Sequence, residues 1–232
     1  MPAHRFRALI GAAALAALAM PAAAEDTIRI AYIDPLSGAF ANVGEAGVHH
    51  FQFAMDQVNA RGGVLGRKFE LVPLDSKTNP QDTQIALKKV IDDGIRFVVQ
   101  GNGSNVAHAI VDTLGKHNER EPGKAVLYLN YAAVDPALTN DKCSFWHFRF
   151  DADADMKMEA LTSFIARQAN VKKVYLINQD YSFGKAVAAA ATAMLKKKRP
   201  DIQIVGDELH PLGKVQDFAP YVAKIKASGP IS

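Results

Sequence analysis

A lone cysteine, Cys143, excludes an internal disulfide, so this chain cannot be a small cross-linked scaffold. Neither sign of charge is in useful excess: 27 Lys and Arg stand against 24 Asp and Glu, a formal net charge of +3. Arg5 and Arg7 fall within the first 24 residues, which hold no acid, and without them 25 basic residues face 24 acidic ones. A near-neutral surface gives no electrostatic reason to expect nucleic acid or an anionic membrane as a partner. The one basic run, Lys196-Lys197-Lys198-Arg199, sits before Pro200 and reads as a solvated helix end, where cations complement the helix dipole. A long apolar run is missing too. Ala8 to Met20 is shorter than the about 20 residues a bilayer core requires, and it ends at Pro21.

Enzyme motifs are equally scarce. Gly101-x-Gly103 lacks the third Gly of a dinucleotide fingerprint, because Val106 stands there, and no G-x-x-x-x-G-K-[ST] phosphate loop occurs. Ser104 is not in a G-x-S-x-G elbow. His49 and His50 are adjacent rather than four apart, so they do not share a helix face as metal ligands. Asp151-x-Asp153-x-Asp155 resembles the opening of a calcium loop, but Met156 replaces the required Gly and Thr162 the bidentate Glu. Those acids read instead as favouring a helix N-terminus. No catalytic residue, metal or cofactor is expected.

Apolar residues make up 49% of the chain, enough for a full core. Residues 1–24 show the three parts of a secretory signal peptide: a basic start with Arg5 and Arg7, the apolar run, and small residues Ala22-Ala23-Ala24 at a cleavage site. Cleavage after Ala24 would start the mature chain at Glu25. From there β-rich apolar runs alternate with amphipathic stretches. Strands are expected at 27–33, 68–74, 95–100 and 124–130, with helices at 45–60, after Asn79-Pro80, and at 105–117. Val48, Phe51, Met55 and Val58 mark the inner face of the first helix. Ile85, Leu87, Val90 and Ile91 do so for the second. Strand starts about 28 residues apart suit strand–helix–strand units, and therefore a mostly parallel sheet with helices on both faces.

Residues 143–150 break this rhythm with an aromatic stretch that has no helix before it. Beyond it the pattern restarts, with helices at 153–169, 182–198 and 220–227 and strands at 173–178 and 203–209. The fold class expected is α/β, two Rossmann-like lobes with mostly parallel sheets: an N-terminal lobe at 25–143, a hinge crossover at 144–150, and a second lobe at 151–232. Two strands and an unreturned helix make that second lobe read as incomplete, as in a truncated chain. Ligands in open parallel sheets bind at the carboxyl ends of the strands. Three loops fall there: Asp34 to Phe40 with Ser37, Gly101 to Asn105 with Asn102 and Ser104, and Tyr131 to Val134. Each is equally compatible with an ordinary strand–helix turn.

Ile30-Ala31-Tyr32-Ile33-Asp34-Pro35-Leu36-Ser37-Gly38 resembles the opening of type I periplasmic solute-binding proteins of the branched-chain amino acid (leucine/isoleucine/valine-binding) group of ABC transporters. Ala54 to Lys68, Tyr131-Ala132-Ala133, Trp146 to Arg149 and Asn178 to Gly184 resemble blocks of the same family. The resemblance implies two hinged lobes that close over a small-molecule solute, a monomer delivering it to a membrane permease, and a periplasmic location. It implies that Ser104 meets a ligand carboxylate, that Ala132 and Ala133 offer backbone groups, and that Tyr181 or Phe183 forms an aromatic lid. Val134 stands where amino-acid binders often carry a Thr that helps hold the ammonium. Phe40, Tyr131, Tyr181 and Phe183 would suit an aromatic or other organic acid, or else serve as core packing. Two other readings remain open at this point: a ligand-sensing module of a signalling system, and an enzyme on the same fold class.

Overall fold

A computed structural model describes residues 27–231; the expected signal peptide lies outside the described residues. The first unit contains β1 (Ile28–Asp34), α1 (Ala41–Ala60), β2 (Phe69–Asp75), α2 (Pro80–Asp92), β3 (Phe97–Gln100), α3 (Ser104–Arg120), β4 (Leu127–Asn130) and β5 (His147–Arg149). The second contains α4 (Ala154–Ala166), β6 (Lys173–Gln179), α5 (Ser182–Lys198), β7 (Gln203–His210) and α6 (Ala219–Ala227). The first sheet runs in the order β2-β1-β3-β4-β5 with every pairing parallel. The second pairs β6 with β7, also parallel.

Strand alternation places the two faces of the first sheet. Ala31 and Ile33 point into the main core with Leu87 and Val90 of α2 and with Val106, Ile110 and Leu114 of α3. Tyr32, between them, points the other way and packs on Phe51 of α1. Helices therefore cover both faces, as a parallel sheet requires. On α1 the residues turned inward are Val48, Phe51, Met55 and Val58, matching the apolar stripe. α2 begins as expected: Asn79 accepts from the N–H groups of Gln81 and Asp82, and Pro80 follows it. Its buried face, however, is Thr83, Ala86, Leu87 and Val90, so Ile85 is 71% exposed. At about 100° per residue Ile85 falls on the opposite side from Leu87, a correction to the expected face.

The aromatic stretch also behaves differently from expectation. Its residues 147–149 form the edge strand β5, with His147 opposite Tyr128 and the two rings stacked at 4.8 Å. The chain leaves the first sheet only beyond it, passing Phe150 to enter α4 at Asp153. That exit is pinned by a buried ion pair. Arg149 donates to the Asp153 carboxylate at 2.9 Å, to the Asp135 carbonyl at 3.1 Å and to Thr139 Oγ1 at 2.7 Å. Asp153 also caps α4 through the Met156 N–H at 2.8 Å, so neither charge is left uncompensated. The basic run ending α5 is more than a solvated helix end. Lys198 bonds Glu159, Thr162 and Ser163, and Arg199 bonds Asp201 and the carbonyls of Gln168 and Val171.

Truncation separates the two faces of α2. Leu87→Ala should cost about 2–5 kcal/mol, whereas Ile85→Ala should stay within about 0.5 kcal/mol of the parent. Urea unfolding midpoints of the two variants measure this, and equal losses would contradict the assignment of the buried face.

Candidate ligand-binding cleft

In the first sheet the chain passes from β1 outward to β2 and then returns to place β3 on the other side of β1. The crevice beyond the carboxyl ends of β1 and β3 is where such sheets receive ligands. Here it is faced by the second unit. A cavity of about 260 Å³ is lined by Pro35, Phe40, Val43, Thr78, Asn102 and Gly103 from one side and by Gln179, Tyr181 and Leu212 from the other. Gly213 comes close enough to Phe40 that a Cβ on it would sit 2.9 Å from the ring. The lining side chains carry no formal charge.

Two helices begin beside this cavity without a side-chain cap. Gly103 precedes α3 and Tyr181 precedes α5, and neither caps its helix. Elsewhere α2 and α4 are capped by Asn79 and Asp153. Uncapped first-turn N–H groups are a ready site for an anion such as a carboxylate.

The loop after β3 is held from below. Asp34, fully buried at the end of β1, accepts from the N–H of Asn102 at 2.8 Å and of Gly101 at 3.4 Å. It also accepts from the Tyr131 hydroxyl. Asn102 Nδ2 donates to Tyr131 Oη at 3.1 Å, fixing the side chain as well. Buried Gln100 donates to the Asn102 carbonyl at 2.8 Å and accepts from Tyr128 at 2.5 Å. This packing needs two glycines. A Cβ on Gly101 would lie 2.4 Å from the Tyr131 ring, and one on Gly47 would lie 1.9 Å from Tyr32 Oη. Burial raises the Asp34 pKa to about 6, against the pull of the donors that stabilise its charge. Burial likewise raises Tyr32 and Tyr131, with the Asp34 charge adding to the effect, and pushes Tyr181 up to about 12.

Of the residues singled out in the sequence, Phe40, Asn102 and Tyr181 line the cavity. Ser37 is exposed and donates to Asp75 at 2.5 Å. Ser104 is only 2% exposed, and its hydroxyl accepts from the Asp135 N–H at 3.3 Å, behind the cleft surface. Asn105 donates to the Thr78 carbonyl at 3.2 Å, while its Oδ1 is buried without a partner. Tyr131 lies under the loop rather than on the wall. The N–H groups of Ala132 and Ala133 are taken by Asn130 Oδ1, at 3.2 and 2.7 Å. Val134 is buried, and its carbonyl accepts from the Ala154 N–H at 2.9 Å, a tie between the units. Phe183 packs on Tyr181 at 5.9 Å. Sequence reasoning did not single out Val43, Thr78 and Leu212, nor Gln179, although it stands in the Asn178 to Gly184 block, nor Asp34. A lone acid closing the run Ile30–Ile33 was the available clue to Asp34. Among the described residues no group of three His, Cys, Asp or Glu is placed to hold a metal ion.

A family model described as periplasmic binding protein matches residues 27–231. The Leu/Ile/Val-binding protein homolog 4 of Brucella abortus is 34% identical over 220 residues, spanning 94% of this chain and 52% of that protein. The solved structure of the leucine-, isoleucine-, valine-, threonine- and alanine-binding protein of Brucella ovis, in its closed conformation, matches with a TM-score of 0.74 and 34% identity. It covers 88% of this chain and 52% of that one. A solute-binding protein of an ABC transporter from Rhodopseudomonas palustris BisB5, in complex with 3,4-dihydroxybenzoic acid, matches with a TM-score of 0.76. At 22% identity, over 89% of this chain and 53% of that one, this last likeness speaks to the fold. The chain spans about half the length of the curated relatives it matches.

The buried carboxylate has a signature in stability. A carboxyl whose folded-state pKa is raised holds its proton more tightly folded than unfolded. Its contribution is therefore full below the ordinary value of 3.8 and is lost as pH rises through about 6. Relative to Asp34→Asn, the parent should lose up to about 3 kcal/mol across that window. Thermal melts of both proteins at about pH 4 and about pH 7 measure the difference; a difference independent of pH would contradict the burial argument.

Proposed function

The chain belongs to the periplasmic binding protein family, and we propose that it is the exported solute-binding component of an ABC uptake system, holding a small carboxylate-bearing solute between its two α/β units. The observation that carries this reading is the shared cavity, walled by Asn102 and Gly103 of one unit and by Gln179, Tyr181 and Leu212 of the other. A solute in that position contacts both units at once. It stabilises their closed arrangement by its differential affinity for it, and the closed form is what a membrane permease would recognise. The uncapped starts of α3 and α5 suit the solute's carboxylate.

The wall supports an acid with an apolar or aromatic body. Phe40, Val43, Tyr181 and Leu212 offer apolar surface, and no carboxylate lines the cavity to pair with an ammonium. An amino acid is the second reading. It is favoured by the relatives at 34% identity, which carry branched-chain amino acid-binding names, and by Thr78, Asn102 and Gln179 as uncharged acceptors on the wall.

Thermal shift with benzoate and L-leucine, each paired with its carboxamide, tests the proposal. A ligand at a hundred times its Kd adds about 2.7 kcal/mol, a rise of about 5–10 °C for a chain of this size. One acid should raise Tm on that scale and its amide should not. Equal shifts with acid and amide would contradict carboxylate recognition, and which acid acts separates the two readings.

A further inference from the structure

Beneath the cleft two tyrosine hydroxyls and a buried carboxylate form a chain of hydrogen bonds. Tyr32 Oη donates its proton to the Gly44 carbonyl at 2.9 Å. Tyr131 Oη donates its own to Asp34 and accepts from Asn102 Nδ2. The two tyrosine oxygens lie 3.3 Å apart, a hydrogen bond that either can donate; with Asp34 ionised the Tyr131 proton is committed to the carboxylate, so in that bond Tyr131 accepts. An ionised carboxylate only accepts; a protonated one must also donate. If Asp34 takes a proton on the oxygen facing Tyr131, that bond reverses. Asp34 then donates, Tyr131 accepts, and the Tyr131 proton turns to the free lone pair of Tyr32 Oη. Asn102 and Gly101 keep their acceptor on the other carboxylate oxygen. Both protonation states are fully paired, and no heavy atom has to leave its place.

We propose that Asp34, Tyr131 and Tyr32 form a relay that takes up one proton from solvent in mildly acidic medium and changes the charge of the cleft floor. The proton count balances: one proton enters through half-buried Tyr131 and rests on Asp34, while each tyrosine keeps one. The groups facing Asp34 are consistent with this. From β1 there is Tyr32, from β2 its register neighbour Asp75, whose carboxylate is taken up by Ser37 and by the Leu36 and Lys77 N–H groups, and from β4 and the loop after it there are Tyr128 and Tyr131. The loop after β3 contributes two N–H groups. α1 contributes the Gly44 carbonyl and the Phe51 ring through their contacts with Tyr32. Burial already raises Asp34 into the range where such uptake occurs. One consequence rests on the solute reading above. Neutralising Asp34 below Asn102 removes a negative charge near the solute carboxylate, so proton uptake and anion binding reinforce each other.

The relay itself is tested without any solute. Nuclear magnetic resonance would follow the Asp34 carboxyl carbon, the Asn102 amide and the Tyr131 ring across pH in the parent, Asp34→Asn and Tyr32→Phe proteins. In the parent all three signals should move together with one midpoint near 6, and Asp34→Asn should abolish the transition. In Tyr32→Phe the displaced Tyr131 proton has no acceptor to turn to, so the Tyr131 ring response to the Asp34 transition should shrink by about half or more. A parent midpoint at or below about 4, an Asn102 amide that does not follow it, or a Tyr131 ring response as large in Tyr32→Phe as in the parent would overturn the relay. Should Tyr32→Phe fail to fold, the parent titration decides alone. Because no solute is present, a blank result with benzoate and L-leucine would sink the solute reading and leave this one standing.

Discussion

A buried carboxylate that must be answered by hydrogen-bond donors organises the cleft. Asp34 ends β1 where the strand would otherwise run apolar into the core, and its charge is stabilised by the loop after β3 and by the first residue after β4. Removing those donors would leave a buried charge uncompensated, which is far costlier than losing an exposed pair. The same bonds make three separate strand ends into one rigid floor. Gly101 is a consequence of that arrangement, because the Tyr131 ring that serves Asp34 occupies the space a side chain would need.

The second unit meets this floor through a junction that is itself held by charge. Arg149 leaves the first sheet already engaged with the Asp135 carbonyl and Thr139, and closes on Asp153, which at the same time caps α4. The Val134 carbonyl and the Ala154 N–H add a backbone tie. The two units are joined by these bonds at the junction and meet again at the cleft, where Gly213 approaches Phe40.

Much of this fold could be read from the residues, since alternation and helical periodicity report burial directly. The expected strand at 173–178 and helix at 182–198 match β6 and α5 within a residue, and the parallel order follows from the spacing of strand and helix. What escaped reading depends on tertiary partners. Ile85 is apolar yet faces water, because Ala86 and Leu87 define the buried side. His147–Arg149 joined the sheet because a strand edge was open beside β4. At the cleft, Asn102, Phe40 and Tyr181 were legible from their loops. Ser104 was drawn inward by an Asp135 N–H that lies 31 positions away in the chain, which no local pattern reveals. Asp34 was visible as a letter, but its role is set by Tyr131 and Asn102, 97 and 68 positions distant.

One cleft takes its walls from both units. Hydrogen exchange of the protein with and without a saturating carboxylate solute tests that claim most directly. Slowed exchange is expected together in the loop 101–105 and in the loop 179–183, with little change at the opposite end of the first sheet around residues 94–97. Protection confined to a single unit, or centred on residues 94–97, would contradict it.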